Sequence, residues 1–428
     1  MRNGRKKNNR KLIASFLTGA LVIQQATMLG ALGAVTSTNI TGVTGSNGVY
    51  NINPKWTSGG GSIGARHYTN FNLKNGDVAN LIFNSGMSSF VNLVDNQIKI
   101  DGVVNTLNGS GAFANGKAVF VSPNGMIVGA SGVLNVGSLG VYTPDAREYN
   151  AYKDIEGNYV DRFASGEKYY QNGGTITIDG KVLSVGDVTL AGKAVNIGQN
   201  GGVISGINQS KMETTKSRAD VLFNSIVNGT YSNATDFVNS NGTITIKTAE
   251  PYGNYSTSAV GTNIQGNVYN IAKNGTVNIQ NNTGDLNISG KIKNNGTTTI
   301  LNGPGQSFIN ITGPTDNVIA DDESNGNTNT KLNITGNIDT TGNLKVINFG
   351  DRGANIGGTI NHQGELLIQN GALAGTDTAP RNPNIGELNI NGNITNTQGN
   401  TAINNYAGGG LNVSAGRIDN QNGNLTML

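Results

Sequence analysis

The side chains that could carry out acid–base or metal chemistry are few in this chain and lie far apart. The one tight acidic cluster is Asp321-Asp322-Glu323, in a stretch rich in Asn and Gly. Such carboxylates can bind Ca²⁺ or exchange protons with a substrate, but in an Asn/Gly-rich turn they also form an ordinary solvated loop. His67 and His362 are isolated, with no Cys and no spaced partner, so no zinc site is expected. We expect no catalytic residue, no metal and no cofactor.

The composition favours a repetitive β structure over a helical or α/β enzyme. Of 428 residues, 63 are Gly and only 13% are charged. Val, Ile and Leu recur in short alternating runs between Asn/Gly turns, and these residue types suit pleated strands and tight turns respectively. A disordered Asn/Gly-rich chain is the alternative, but 36% of the residues are apolar, which favours burial.

The N-terminus carries the excess of positive charge. Six cations lie in the first eleven residues, and an apolar stretch from Leu12 to Val35 follows. We interpret residues 1–35 as a signal peptide cleaved after Gly33, with a membrane anchor as the alternative. Without those six cations, 29 − 6 = 23 basic residues face 26 acids. The mature chain is therefore expected to bind no nucleic acid. No other segment approaches spanning length, so no membrane span is expected in the mature chain.

From about residue 264 the sequence repeats itself every 23 residues. Leu-Asn-Ile at 286–288 recurs as Ile-Asn-Ile at 309–311 and as Leu-Asn-Ile at 332–334. Alternation of this kind predicts short half-buried strands, and a period of this length is typical of a solenoid. The fold prediction is an all-β, right-handed parallel β-helix with short insertions. Leu286, Ile309 and Leu332 should stack in one interior column, with Asn and Thr forming ladders outside.

Two polar stretches interrupt the pattern. Residues 144–172 are charged and rich in Tyr, and residues 207–260 include a predicted short helix at 218–227. Both are interpreted as insertions within a region that spans residues 36–260. Regular β-helix repeats follow at 261–428, and because an uncapped coil exposes its core, we expect them to continue beyond this chain.

One segment is specific enough to indicate a family. Residues 118–129 read Ala-Val-Phe-Val-Ser-Pro-Asn-Gly-Met-Ile-Val-Gly, and residues 132–139 read Gly-Val-Leu-Asn-Val-Gly-Ser-Leu. The stretch from about Asn70 to Pro144 resembles the secretion domain of the filamentous haemagglutinin family, the exported partners of two-partner secretion. The family pattern has Asn-Pro-Asn-Gly between aliphatic strands, and here Ser122 replaces the first Asn and Ser138 replaces a Gly. The family's second motif, Asn-Pro-Asn-Leu, is not evident.

The tetrapeptide Ser122-Pro123-Asn124-Gly125 also has a structural interpretation that is independent of the family resemblance. Pro suits the second position of a turn and Asn-Gly suits unusual φ, so these residues should join two strands at a corner of the solenoid. In the family this motif is associated with secretion. The resemblance therefore implies that the corner is also a secretion motif and an early folding nucleus.

The resemblance further implies a route and partners. It predicts that residues 36–260 form a secretion domain recognised by a TpsB-type β-barrel transporter of the outer membrane. The protein would then be a secreted adhesin at the bacterial cell surface that binds host cells or a glycan. Some large leukotoxin-like filamentous adhesins share this arrangement. The absence of Cys suits passage through a channel in an extended state.

Two other functions stay open at this point. A β-helical polysaccharide-active enzyme should place acids and bases at matching positions on adjacent coils, whereas this chain places Asn and Thr there. A carrier of a toxin domain beyond residue 428 would have the same sequence features as an adhesin.

Overall fold

The computed structural model consists mostly of short strands. It describes residues 34–153, 173–231, 236–248, 261–303, 330–371, 386–414 and 416–428. From Val35 onward these residues belong to one unit. Several sequence predictions fall outside them: nearly all of the signal peptide at 1–35, the acidic cluster at 321–323, and the insertion segments 154–172, 232–235 and 249–260.

The strands form three sheets along the solenoid axis, and the chain visits them in turn. Sheet A contains β1 (Asn39–Ile40), β5 (Phe71–Leu73), β8 (Ile98–Ile100), β11 (Met126–Val128), β14 (Thr175–Ile178), β17 (Ala194–Ile197), β20 (Thr262–Ile264), β23 (Leu286–Ile288), β26 (Leu332–Ile334), β29 (Ala354–Ile356), β32 (Leu388–Ile390) and β35 (Leu411–Val413). Sheet B contains β2 (Val49–Ile52), β6 (Val78–Phe83), β9 (Val103–Asn108), β12 (Val133–Val136), β15 (Lys181–Ser184), β18 (Gly202–Ser205), β21 (Asn267–Asn270), β24 (Lys291–Asn294), β27 (Ile338–Thr340), β30 (Ile360–His362), β33 (Ile394–Asn396) and β36 (Ile418–Asn420).

Sheet C completes each coil. It contains β3 (Trp56–Ser58), β4 (Ile63–Tyr68), β7 (Ser89–Val94), β10 (Lys117–Val121), β13 (Ser138–Tyr142), β16 (Val188–Gly192), β19 (Asn241–Thr248), β22 (Asn274–Asn281), β25 (Thr297–Asn302), β28 (Leu344–Asn348), β31 (Leu366–Asn370), β34 (Thr401–Asn405) and β37 (Leu425–Met427). Apart from the first pair of sheets A and C, successive strands of a sheet pair in parallel, one coil apart. The predicted right-handed parallel β-helix is confirmed.

Helices are confined to the connections between strands. The described ones are α1 (Ala146–Tyr152), α2 (Lys216–Val227) and two 3-10 turns at Gly59–Gly61 and Gln209–Lys211. Helix α2 confirms the helix predicted at 218–227. None of these described helices is long and apolar enough to cross a membrane.

Alternation along each strand decides which side chains enter the core. In β23, Leu286 and Ile288 are almost fully buried, whereas Asn287 between them is half-buried on the outer face. Successive Cβ atoms of a strand point to opposite sides of the sheet, which explains this pattern. At the N-terminal end the core is aromatic. The ring of Phe71 makes edge-to-face contacts with Tyr68 and Phe120, with ring centroids 5.4 and 5.5 Å apart.

The corner between sheets A and B is built on a column of glycines. From β5 onward the connection at this corner has only two to four residues. Gly290, Gly336, Gly358, Gly392 and Gly416 stack there, and a Cβ on Gly336 would overlap the carbonyl oxygen of Gly290, with the same relation repeated up the column. At these positions successive coils approach too closely for any side chain.

A ladder of buried asparagines runs inside the later coils, at the end of sheet C. The Nδ2 of Asn281 donates to Oδ1 of Asn302 at 2.8 Å, and that of Asn302 donates to Asn348 at 2.8 Å. The series continues from Asn348 to Asn370 at 2.7 Å and from Asn370 to Asn405 at 2.9 Å. Each amide satisfies its neighbour, so these polar groups can be buried at little cost.

Outer asparagine ladders also form, as the sequence predicts. On sheet A, Asn355 donates to Asn333 at 2.8 Å and Asn412 donates to Asn389 at 3.1 Å. The inner ladder was not predicted, because its Asn residues follow the alternating runs and resemble turn residues.

The N-terminal end of the solenoid is closed by antiparallel pairing. Strand β1 runs antiparallel to β5, and β3 runs antiparallel to β4, in contrast to the parallel pairs that follow. A reversed strand at the end of a parallel array covers edge groups that would otherwise be unpaired.

The predicted column of Leu286, Ile309 and Leu332 is wrong. Strand β26 pairs directly with β23, with Leu332 opposite Leu286, so the chain between them adds no strand to this part of sheet A. Ile309 itself lies outside the described residues. The interval between these neighbours is 46 residues, twice the repeat.

The insertion predicted at 207–260 is too wide. Residues Asn241–Thr248 form β19, which pairs with β16 on one side and β22 on the other. Its run Gly-Thr-Ile-Thr-Ile-Lys alternates as a wall strand should, and Ile244 and Ile246 enter the core. The polar composition around it hid this signal.

Candidate functional site

The turn Ser122–Gly125 joins β10 to β11 at the corner between sheets C and A. The N–H of Gly125 donates to the carbonyl oxygen of Ser122 at 3.3 Å, and that of Asn124 donates to Ser122 Oγ at 3.1 Å. Gly125 has a φ of +86°, whereas Asn124 does not have a positive φ. The predicted corner is therefore present, and Gly125 alone supplies its left-handed conformation.

The turn is held by the coils on both sides of it. Toward the N-terminus, Asn124 Nδ2 donates to the carbonyl oxygen of Asp95 at 2.7 Å, and Ser122 Oγ donates to that of Asn96 at 2.9 Å. Toward the C-terminus, a Cβ on Gly125 would overlap the carbonyl oxygen of Thr175. The corner is thus a wedge between two coils and not a free surface turn.

Asp95 connects this turn to helix α1. Its Oδ1 lies 2.8 Å from Nε2 of His67, 3.2 Å from Nζ of Lys153 and 3.3 Å from the hydroxyl of Tyr149. Partial burial acts to raise the pKa of Asp95, but the hydrogen bonds from His67 and Lys153 outweigh it and hold the pKa below its ordinary value. One carboxylate therefore fastens the end of α1 to the wall beside the turn.

Helix α1 also covers apolar side chains on the outer face of sheet C. Tyr149 is 1% exposed and packs in a cluster with Leu93, Val121, Tyr142 and Ala191. An uncovered strip of this kind would be unusual on a soluble wall. The Tyr-rich insertion therefore acts, in its described part, as a cover for the solenoid.

Helix α2 is fastened in the same way to sheet B. The carboxylate of Asp220 pairs with Lys181 of the wall and, at 2.7 Å, with Lys216 of its own helix. Burial acts to raise the pKa of Asp220, but hydrogen bonds from the two lysines prevail and lower it. The Nζ of Lys181 also lies 5.4 Å from the ring centre of Phe223, a cation–π distance.

The underside of α2 is apolar and covers the outer face of sheet B. Phe223 and Ile226 are nearly fully buried and pack in one cluster with Val133, Leu183 and Ile204 of the wall. These wall residues alternate with the core residues, so without α2 they would face water. Helix α1 therefore covers strands of sheet C and helix α2 covers strands of sheet B, so these strands are buried on both faces.

Comparison with known proteins adds no further constraint. No family model and no curated protein matches the chain. Its function is therefore inferred from this geometry and from the resemblance carried by residues 118–139.

The residues singled out from the sequence have different surroundings. His67 contacts Asp95 at the rim of sheet C, while His362 is enclosed in the solenoid. Among the described residues, no group of three or more His, Asp and Glu side chains is arranged to hold a metal ion. Asp95 and Asp220 were not singled out from the sequence. The partners of Asp95 lie 28 to 58 residues away, so no local pattern marks it. Asp220 has a local i,i+4 partner in Lys216, but Lys181, which connects it to the wall, lies 39 residues away.

Proposed function

We propose that this chain is the N-terminal part of a secreted, non-enzymatic surface adhesin exported by two-partner secretion. In this proposal the region 36–260 is recognised by an outer-membrane TpsB-type transporter, and the turn Ser122–Gly125 takes part in starting the solenoid. Host cells or a glycan are the proposed ligands, and the bacterial surface is the proposed location.

The observation that carries the proposal is the wedged position of the turn. A sequence that resembles the family's secretion motif lies where three consecutive coils meet, bonded to Asp95 and Asn96 on one side and packed on Thr175 on the other. A substitution that distorts this corner would disturb the first complete coils. Since each coil of a solenoid contacts only its neighbours, early coils determine whether later ones have a surface to grow on.

The architecture supports passage through a channel in an extended state. The chain has no cysteine to cross-link, and its parallel coils are connected in sequence order. Folding that proceeds coil by coil outside the membrane would oppose backward movement of the chain.

The two helical covers are the proposed place for ligand binding. The outer amides of the sheet A ladder are already bonded to one another, as Asn355 is to Asn333. Helix α2 instead presents Arg218 and Val221, whose exposures are 74% for the Arg218 side chain and 70% for Val221. Distinctive exposed groups of this kind are better suited to specific recognition than a uniform ladder.

Export is tested by the variant Gly125→Val, with Gly76→Val as its matched control. Both glycines have a φ near +87°, but a side chain at Gly76 meets open space, whereas one at Gly125 meets the backbone of Thr175. The positive φ costs each variant about 1 to 2 kcal/mol, and the overlap adds to this only at Gly125. With the cognate transporter present, we expect extracellular yield of Gly125→Val to fall by about 5-fold or more relative to the control.

The transporter itself provides the decisive comparison. Wild-type chain should reach the medium only when the transporter is expressed, at equal intracellular amounts. Equal yields with and without it would contradict two-partner secretion, and equal yields of the two glycine variants would remove the proposed role of the turn.

A further inference from the structure

A histidine is enclosed in a part of the solenoid where neighbouring coils carry small neutral side chains. His362 ends β30 and lies in register with Thr340 on the preceding coil and Asn396 on the following one. Asn294 precedes Thr340 in the same column. All four side chains are buried, and His362 is only 3% exposed.

The hydrogen bonds of this column leave one imidazole nitrogen unsatisfied. Nδ1 of His362 lies 2.7 Å from the hydroxyl of Thr340, but Nε2 is buried without a hydrogen-bond partner. Asn396 instead uses its amide to bond Gly364 O at 3.0 Å and Thr401 Oγ1 at 3.0 Å. The imidazole therefore fits this position as a neutral ring, with Nε2 lacking a hydrogen bond of ordinary geometry.

The charged groups on the neighbouring elements are committed elsewhere. Asp339, beside Thr340 on β27, points outward and pairs with Lys291 at 2.8 Å. Glu365, in the turn before β31, accepts a hydrogen bond from the N–H of Asn400 at 3.2 Å. A charge on His362 would therefore be buried without an opposite charge, which is strongly unfavourable.

Burial accordingly lowers the pKa of His362 to about 4, and the adjacent backbone of Gly364 and Glu365 offsets this only in part. These backbone groups lie beside the ring but make no hydrogen bond of ordinary geometry with Nε2. In an unfolded or opened coil the ring titrates near 6.5. Since the open state binds the proton more tightly, the folded coil is fully stable above that pH and loses stability as the pH falls from about 6.5 to about 4.

We propose that His362 makes the coil of β29, β30 and β31 an acid-sensitive joint in the solenoid. Its protonation opens this coil, whereas the coils from β5 to β19 stay closed. Local opening is available to a solenoid because each coil is stabilised mainly by its two neighbours. The inference concerns the fold alone and does not rest on the proposed export route.

Amide hydrogen exchange of the purified chain at pH 7.5 and pH 4.0, corrected for intrinsic rates, tests this joint. Protection of β29 to β33 should fall by about 100-fold at the lower pH, as expected for a pKa that changes from 6.5 to about 4. The variant His362→Asn, which copies Asn294 and Asn396 of the same column, should keep its protection. The variant His67→Asn removes the other histidine and should keep the acid response.

The result that overturns the proposal is a wild-type protection unchanged at pH 4.0, or an equal loss in His362→Asn. If His362→Asn fails to fold, the ring is titrated directly by NMR in His67→Asn, where one histidine signal remains. A pKa near 6.5 for that signal would overturn the joint, whereas a value near 4 would support it.

Discussion

The coils from β7 to β18 and those from β20 to β34 share one backbone plan but stabilise their walls differently. In β12, Val133–Val136, every side chain is buried, because the core takes one face and helix α2 covers the other. In β26, Leu332–Ile334, Asn333 is only half-buried and the core takes the two aliphatic residues. The earlier coils therefore resemble strands of a buried parallel sheet, and the later ones resemble strands with one wet face.

The two groups of coils are therefore stabilised by different contacts. The earlier coils gain from apolar packing on the outside, where two helices are each fastened by one Asp. The later coils gain from the inner asparagine ladder, which satisfies buried amides one coil at a time. Substitutions that affect only the helical covers, or only the inner asparagine ladder, separate these two sources of stability.

The largest effect is expected from Phe223→Ala in the cover of the earlier coils. Removal of a buried aromatic ring from its packing costs about 3 kcal/mol or more. Protease cleavage within α2 should therefore accelerate, while hydrogen exchange in β28 to β34 stays unchanged. Val221→Ala on the exposed side of the same helix is the control and should be silent. Unchanged cleavage within α2 of Phe223→Ala would mean that α2 is not held by its apolar side.

A somewhat smaller effect is expected from Asn348→Ala in the inner ladder. This amide bonds to Asn302, Asn370 and Gly350, so its loss leaves buried groups unsatisfied at about 2 to 3 kcal/mol. Exchange should rise in β25 to β31 and not in β7 to β13. Asn361→Ala, at an exposed outer position that bonds only Asp339 in the described structure, should change stability by about 0.5 kcal/mol or less. Equal effects of the two variants would remove the distinction between inner and outer ladders.

The smallest effect is expected from Asp220→Asn, which removes the ion pairs of α2 with Lys181 and Lys216 but leaves its apolar packing. A partly exposed ion pair contributes about 0.5 to 1 kcal/mol. Since the folded pKa of Asp220 is lowered from 3.8, this contribution is present above about pH 4 and is lost as the pH falls through the lower folded value. Protease cleavage of α2 should accelerate with acid in wild type and be fast at all pH values in the variant. Asp236→Asn, at an exposed pair with Lys211, should behave as wild type.

The sequence was sufficient for the fold class because the alternating Leu-Asn-Ile runs and their spacing depend on local geometry. It misled at Ile309, because Leu332 lies directly opposite Leu286 and leaves no place between them for a third member of the column. It also hid β19, since a wall strand lay inside a polar stretch. The function of Asp95 could not be predicted, because its three side-chain partners come from distant positions that only the coiling brings together.

The glycine corner between sheets A and B limits where the chain can gain length. Its connections never exceed four residues from β5 onward, whereas the long connections before β14, β19, β20, β26 and β32 all lie at the other two corners. Successive coils touch there through their backbones at the glycine column, which leaves little room for a longer connection. We therefore expect insertions to accumulate at the other two corners of the coil, while the corner between sheets A and B keeps its short connections.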